Sequence, residues 1–200
     1  MRCIHCANNY GKGQSETILG KVIKGKRDDL VITSKVFTPV GPGLNDGGLS
    51  RYHILREVER TLKKLQTDHI DIYYLHKVDP ETKPEETLRT MEDLVRQGKV
   101  RYVGASNYNG AQVVELLWMA ERHSLEPIVC LQNQYNLLHR FQVEFDLLPV
   151  CRRFGLGLAT WFGRRGDSAH RANPYGQSRV AHALKRLVIA KIWDTPQKVI

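Results

Sequence analysis

Six times along this chain of 200 residues, a short apolar run gives way to a stretch with helical periodicity. The opening CIHCANNYGKG supplies the first run. LVITSKV (Leu30–Val36) and the apolar core of DHIDIYYLHKVDP (Ile70–Leu75) follow. KVRYVGASN, IVCLQ and GLGLATW (Gly155–Trp161) complete the series. Between them, Ser15–Gly25 reads as a short helix with Ser15 as N-cap and Ile18, Leu19, Val22 and Ile23 at helical spacing. Ser50 caps a longer helix, with Ile54, Leu55, Val58, Leu62 and Leu65 on one face. Pro84 opens another that stops at Gly98. Gln112–His123 is helical, and Phe141–Phe154 is helical with a break expected at Pro149. Strand and helix alternating over short connections predict βαβ units and a parallel sheet. The strands carry few charges, so both faces of that sheet are expected to be covered.

Three of the apolar runs end at a side chain that can do chemistry. The run in Asp68–Pro80 stops at His76. LVITSKV reaches Lys35, and the opening run ends in a glycine-rich turn carrying Tyr10. Two architectures answer to such a pattern, an open doubly wound sheet and a (β/α)8 barrel. A dinucleotide-binding open sheet calls for G-x-G-x-x-G after its first strand. GKGQSE has only the first two glycines, and no acidic residue ends the next strand. Reactive residues at the C-terminal ends of successive strands are barrel behaviour. The expected fold is therefore α/β, a partial barrel with about six of the eight strands.

The alternation covers residues 1–161. From Phe162 the pattern fails, and FGRRGDSAHRANPYGQSRV is polar, arginine-rich and aperiodic. Residues 162–200 are expected to be an irregular tail, with AHALKRLVIAKIW a possible helix. The net charge is +9, from 30 basic and 21 acidic residues. Part of the excess is local, in Arg152, Arg153, Arg164, Arg165, Arg171, Arg179, Lys185 and Arg186, and could serve a nucleotide phosphate. No nucleic-acid-binding motif accompanies it, so no nucleic-acid partner is expected. No apolar run approaches the roughly 20 residues that span a bilayer. MRCIHCANNY lacks the apolar segment of a secretory signal, and the expected location is cytoplasmic. Cys3 and Cys6 form a lone C-x-x-C without a second pair at matching spacing, so no metal site is expected. Cys130 reads as a small core residue.

Tyr10 is a weak acid, with an ordinary pKa near 10. A nearby ammonium such as Lys35 lowers it, and a histidine such as His76 can hydrogen-bond the same oxygen. Such a phenol could protonate a carbonyl oxygen as hydride arrives from a cofactor.

ANNYGKGQSE, VITSKV, GPGLNDGGLSR, TDHIDIYYLHKVDP, GKVRYVGASNY and QNQYNLLHR, in this order and spacing, resemble the aldo-keto reductases. The resemblance runs from residue 4 to about residue 161. It implies a TIM barrel that uses NADP(H), or NADH, to reduce aldehydes and ketones to alcohols. By the same resemblance Tyr10 is the general acid, Lys35 tunes it, and His76 orients the carbonyl. Ser106, Asn107 and Gln132 match the residues that bind the nicotinamide carboxamide. Trp161 matches the aromatic residue on which the nicotinamide ring stacks. The implied partner is a small-molecule carbonyl compound, and the resemblance leaves its identity and the oligomeric state open.

This chain also departs from the family pattern. The family's catalytic tetrad includes an aspartate where this chain has His5, which supplies no negative charge to pair with Lys35. Cys6 stands where threonine is usual, and Phe162–Gly163 replace a Ser-Pro-Leu loop that wraps the cofactor pyrophosphate. Relative to the family, the first strand and helix and the last helix, strand and helix are absent, so the chain is expected to be truncated. The expectation is an NADP-dependent carbonyl reductase with impaired activity. Two alternatives accompany it: a non-catalytic cofactor sensor or regulatory member, as among relatives attached to potassium channels, or a degenerate product.

Overall fold

A computed structural model describes residues 2–161, and the expected tail from Phe162 onward lies outside them. The chain divides into two compact units. One comprises Met1–Ser106 with Glu115–Ile128, and the other comprises Asn107–Val114 with the residues from Val129.

The first unit is built on β1 (Arg2–His5), β2 (Leu30–Val36), β3 (Ile70–Leu75) and β4 (Val100–Ser106). These pair in that order and all in parallel. The register sets His5 beside Thr33, and Lys35 beside Tyr74. Because side chains alternate along a strand, His5, Thr33 and Lys35 share one face, while Ser34 and Tyr73 occupy the other. Helices α1 (Gln14–Val22), α2 (Arg51–Leu65) and α3 (Pro84–Arg96) connect the strands. The apolar stripes of α2 and α3 account for the core: Ile54, Val58, Leu65, Leu88, Met91 and Leu94 are fully buried with Ile32, Val36 and Leu75. Each such side chain contributes roughly 1.5–3 kcal/mol by leaving water.

Local signals set most of the boundaries. The Ser50 hydroxyl accepts from the His53 amide and caps α2 as its sequence predicts. Pro84 occupies the first turn of α3, where its missing N–H costs nothing. α1 differs from expectation. It begins at Gln14, after Gly13, and Ser15 is turned to the Cys6 sulfur at 3.1 Å instead of capping. Its inner face is Glu16, Leu19 and Ile23, whereas Ile18 and Val22 face solvent. The spacing of Gly20 explains the choice. A Cβ there would lie 2.4 Å from the carbonyl oxygen of Lys64, so α1 crosses the end of α2 backbone to backbone.

At the N-terminal end of the strands, Asp71 gathers several donors. Its Oδ2 accepts from Arg27 Nη2 and from the Ile32 amide, both at 2.7 Å. His69 Nε2 and Arg101 Nε stand 3.7 Å from its other oxygen. Arg27 also donates to the carbonyls of Leu30 and His69 and to the Thr67 hydroxyl, tying the approaches to β2 and β3 together.

The second unit pairs β5 (Ile128–Gln134) with β6 (Gly157–Trp161) in parallel, Cys130 beside Gly157 and Gln132 beside Ala159. Cys130 is fully buried, as expected of a core residue. The segment between these strands winds as a π-helix over Gln142–Leu147 and continues as α5 (Leu148–Phe154). Pro149 sits in the first turn of α5, so the expected break comes as a change of helical pitch. The amide of Gly110, which opens α4 (Gly110–His123), donates to Asp146 Oδ2 at 2.7 Å. Among the described residues no helix is long and apolar enough to cross a membrane.

Candidate active site

Tyr10, Lys35 and His76 come together in the first unit at the C-terminal ends of their strands. After β1 the chain turns through Ala7–Gly13, and the amide of Cys6 still donates to the Thr33 carbonyl at 2.9 Å. Gly11, Lys12 and Gly13 then take φ of 57°, 55° and 85°. Three left-handed residues in succession reverse the backbone within one turn and leave Tyr10 at its shoulder, 40% exposed. Gly13 has a second reason to be glycine. A Cβ there would stand 3.1 Å from Lys64 Nζ and 3.3 Å from the carbonyl oxygen of Asn8.

Lys35 lies near the end of β2 and is 1% exposed. Its ammonium donates to the Tyr10 hydroxyl at 3.0 Å and to the carbonyl oxygen of Cys6 at 2.9 Å. The same nitrogen stands 4.5 Å from the centre of the Tyr10 ring. His76, the first residue beyond β3, meets Tyr10 edge to face with ring centroids 6.2 Å apart. Its amide donates to the Val36 carbonyl, which fixes it beside the end of β2.

The electrostatics follow from burial. Among the described residues no carboxylate makes an ion pair with Lys35, and burial pulls its ammonium down to about 8. His5 is exposed, with Nδ1 3.0 Å from Thr33 Oγ1 and Nε2 3.7 Å from the Cys3 sulfur. Burial lowers His76 to about 4, helped by the positive charges of Lys35 and Lys77, so its imidazole is neutral at pH 7. The Tyr10 phenol moves opposite to expectation. Burial pushes it above its ordinary value and Cys6 adds to the rise. A buried ammonium that is itself easily deprotonated cannot hold a phenolate strongly. Tyr10 therefore stays protonated at neutral pH, with the neutral His76 ring beside it.

In the second unit, Asn107, Gln132 and Trp161 are joined. The Asn107 amide donates to the Gln132 carbonyl at 3.3 Å, and the Trp161 indole N–H donates to Asn107 Oδ1 at 3.2 Å. Asn107 adopts φ 62°, a left-handed setting that asparagine tolerates better than most residues. Gln132 is 4% exposed, while Asn107 and Trp161 are half-buried. Ser106 ends β4 in the first unit and is also buried.

Two features escaped the sequence reading. The backbone carbonyl of Cys6 carries no sequence signal as a partner for Lys35. Glu16 did carry one, since it precedes Leu19 and Ile23 by three and seven residues and so shares their buried face.

The Aldo/keto reductase family model matches residues 1–163, and the chain belongs to that family. It is 38% identical over 158 residues to an Arabidopsis thaliana protein named "Probable voltage-gated potassium channel subunit beta", a match covering 78% of this chain and 48% of that one. It is 40% identical over 167 residues to an uncharacterised oxidoreductase of Bacillus subtilis, covering 78% of this chain and 51% of the other. An aldo-keto reductase of Alternaria alternata is 35% identical over 181 residues, with 78% of this chain and 49% of that chain covered. The crystal structure of a thermostable aldo-keto reductase with the inhibitor epalrestat matches with a TM-score of 0.70 and 35% identity, covering 94% of this chain and 62% of that one. The chain spans about half the length of these curated relatives. The likeness identifies its parallel strands and helices as part of a (β/α)8 barrel.

Proposed function

We propose that the protein is an NADP(H)-dependent reductase of aldehydes or ketones, with Tyr10 as the proton donor. The observation that carries this reading is the 3.0 Å contact from Lys35 Nζ to the Tyr10 hydroxyl, made beside the neutral ring of His76. In this reading a carbonyl oxygen takes the Tyr10 proton, and its position is fixed by hydrogen bonding to Tyr10 and His76. Lys35 supports the phenolate that proton transfer leaves behind. Membership of the family supports a nicotinamide cofactor. The amides of Asn107 and Gln132 offer the paired donors and acceptors that a carboxamide needs, Ser106 adds a hydroxyl, and Trp161 offers a flat indole for stacking. The cofactor, when bound, supplies the hydride. His5, in place of a carboxylate, leaves Lys35 a weaker cation and the activity reduced.

That same feature favours a second reading, a family member that binds the cofactor and responds to it without turnover. The relationship to a protein named as a potassium channel subunit accords with it. A small-molecule carbonyl partner and a cytoplasmic location belong to the first reading. NADPH fluorescence titration followed by an aldehyde turnover assay separates the two. The reductase reading expects binding, slow turnover, and a loss of about 100-fold or more in Tyr10→Phe with binding retained. Binding without turnover supports the second reading, and absence of binding sinks both.

A further inference from the structure

On the face of β2 turned away from Lys35, Glu16 lies fully buried on α1. Its Oε1 accepts from Ser34 Oγ at 2.6 Å and from Thr61 Oγ1 at 3.0 Å. Lys64 Nζ donates to its other oxygen at 3.3 Å. One carboxylate thus joins α1 to β2 through Ser34, and to α2 through Thr61 and Lys64.

The two segments that Glu16 joins present the Tyr10–Lys35 pair. Ser34 immediately precedes Lys35, and Glu16 lies in the first turn of the helix that follows the Tyr10 turn. The turn is otherwise tied to β2 by the Lys35 bonds to Tyr10 and Cys6 and by its backbone. Its backbone link there, from the Asn8 amide to the Lys35 carbonyl, is long at 3.4 Å. Its left-handed Gly11–Lys12–Gly13 run is costly for the lysine and must be held from outside. Lys64 meets that run from below, since its ammonium lies where a side chain on Gly13 would stand.

A buried carboxylate is an expensive way to fill space, and a leucine in its place would pack at lower cost. What the carboxylate adds is direction. Its hydrogen bonds admit one setting of α1 against β2, whereas apolar packing admits several. Other ionisable groups face the same region. Burial raises the Glu57 carboxyl, while Lys64, Asn8 and Arg60, the last at 3.6 Å, draw it back down. The Tyr73 hydroxyl is held protonated by burial.

We propose that Glu16 is a positioning residue for the Tyr10–Lys35 pair, and that its bonds to Ser34, Thr61 and Lys64 set the distance between phenol and ammonium. Its bearing on catalysis rests on the reading of Tyr10 as proton donor; the positioning itself does not.

The test is a titration that needs neither cofactor nor turnover. The full chain is labelled at the lysine side-chain ε position, and the Lys35 signal is assigned by K35M. In the wild-type background, Y10F removes the hydroxyl that accepts from the ammonium at 3.0 Å and is expected to lower the Lys35 midpoint of about 8 by about half a pH unit. In the E16A background the same substitution is expected to move it less than a third as far. An undiminished shift in an E16A protein that still melts cooperatively overturns the proposal, as does a wild-type midpoint that Y10F leaves in place. Should E16A not melt cooperatively, the S34A/T61V variant keeps the Glu16 side chain and the Lys64 pair while removing two donors. It is expected to shrink the Y10F shift by at least half, and an undiminished shift there overturns the proposal. Failure of the wild-type protein to reduce any aldehyde sinks the reductase reading alone and leaves this coupling to stand or fall by itself.

Discussion

Lys35 crosses from β2 to donate to the Tyr10 hydroxyl at 3.0 Å, and its other hydrogen bond goes to the backbone carbonyl of Cys6. Among the described residues, an ammonium that is 1% exposed is thus met by neutral oxygens. Much of the behaviour expected of this protein follows from that imbalance.

A carboxylate beside Lys35 should let it keep its charge to higher pH. His5 shares the sheet face of Lys35, so His5→Asp places a negative charge where the ammonium can meet it. With Lys35 at about 8, carbonyl reduction by the wild-type protein should decline as the pH rises through 8. In His5→Asp that decline should begin about one pH unit higher, with a faster rate at pH 7. The pH dependence of the rate checks this, and a limb that stays near 8 shows that residue 5 does not set the Lys35 value.

Lys35 should also cost stability. Its folded value of about 8 lies below its ordinary value of 10.5, so between the two the unfolded chain binds more protons. Stability then rises with pH across that window, and at pH 7 the cost is present in full. Lys35→Met removes the charge but also the bond to Cys6, and a net gain of about 1–2 kcal/mol is expected at pH 7. Denaturant melts at pH 7 and pH 10 measure it, the gain being smaller at the higher pH.

His76 should make the fold sensitive to acid. Its folded value of about 4 lies below the ordinary 6.5, so on acidification the unfolded chain takes up a proton that the folded site refuses. Stability attributable to His76 is therefore lost as pH falls from 6.5 towards 4, by about 1–2 kcal/mol allowing for solvent at the ring edge. His76→Gln should flatten that part of the stability curve. An unchanged slope between pH 6.5 and 4 would place the acid sensitivity elsewhere.

Gly20 offers a test of packing with a reversed sign. In a helix interior, replacing glycine by alanine ordinarily stabilises by about 1 kcal/mol. Here the added Cβ would lie 2.4 Å from the Lys64 carbonyl oxygen and 2.8 Å from the Leu65 carbonyl group. Gly20→Ala should instead destabilise by about 2 kcal/mol, as α1 is pushed off α2. A raised melting temperature would show that the two helices can separate freely.

The strand–helix order was legible because each buried strand reads as an apolar run, and because Ser50 and Pro84 mark helix starts by local chemistry. The trio of Tyr10, Lys35 and His76 was legible because each ends such a run. Less visible were effects that depend on what lies across the sheet. The outward turn of Ile18 and Val22 follows from the approach of α1 to Lys64 and Leu65, which their own spacing does not encode. The upward displacement of Tyr10 likewise comes from burial, with Cys6 adding to it. The sequence names both residues but not how deeply each is enclosed.

Asp71 and His76 stand at opposite ends of one strand. Five residues at about 3.3 Å each put roughly 17 Å between them. Arg27, His69 and Arg101 crowd the carboxylate at one end, and Tyr10 meets the imidazole at the other. Perturbations that far apart and without shared partners combine independently, to within about 0.5 kcal/mol. β3 therefore acts as an insulator: one end can be rebuilt for heat resistance while the other is retuned for chemistry, and neither change need know of the other.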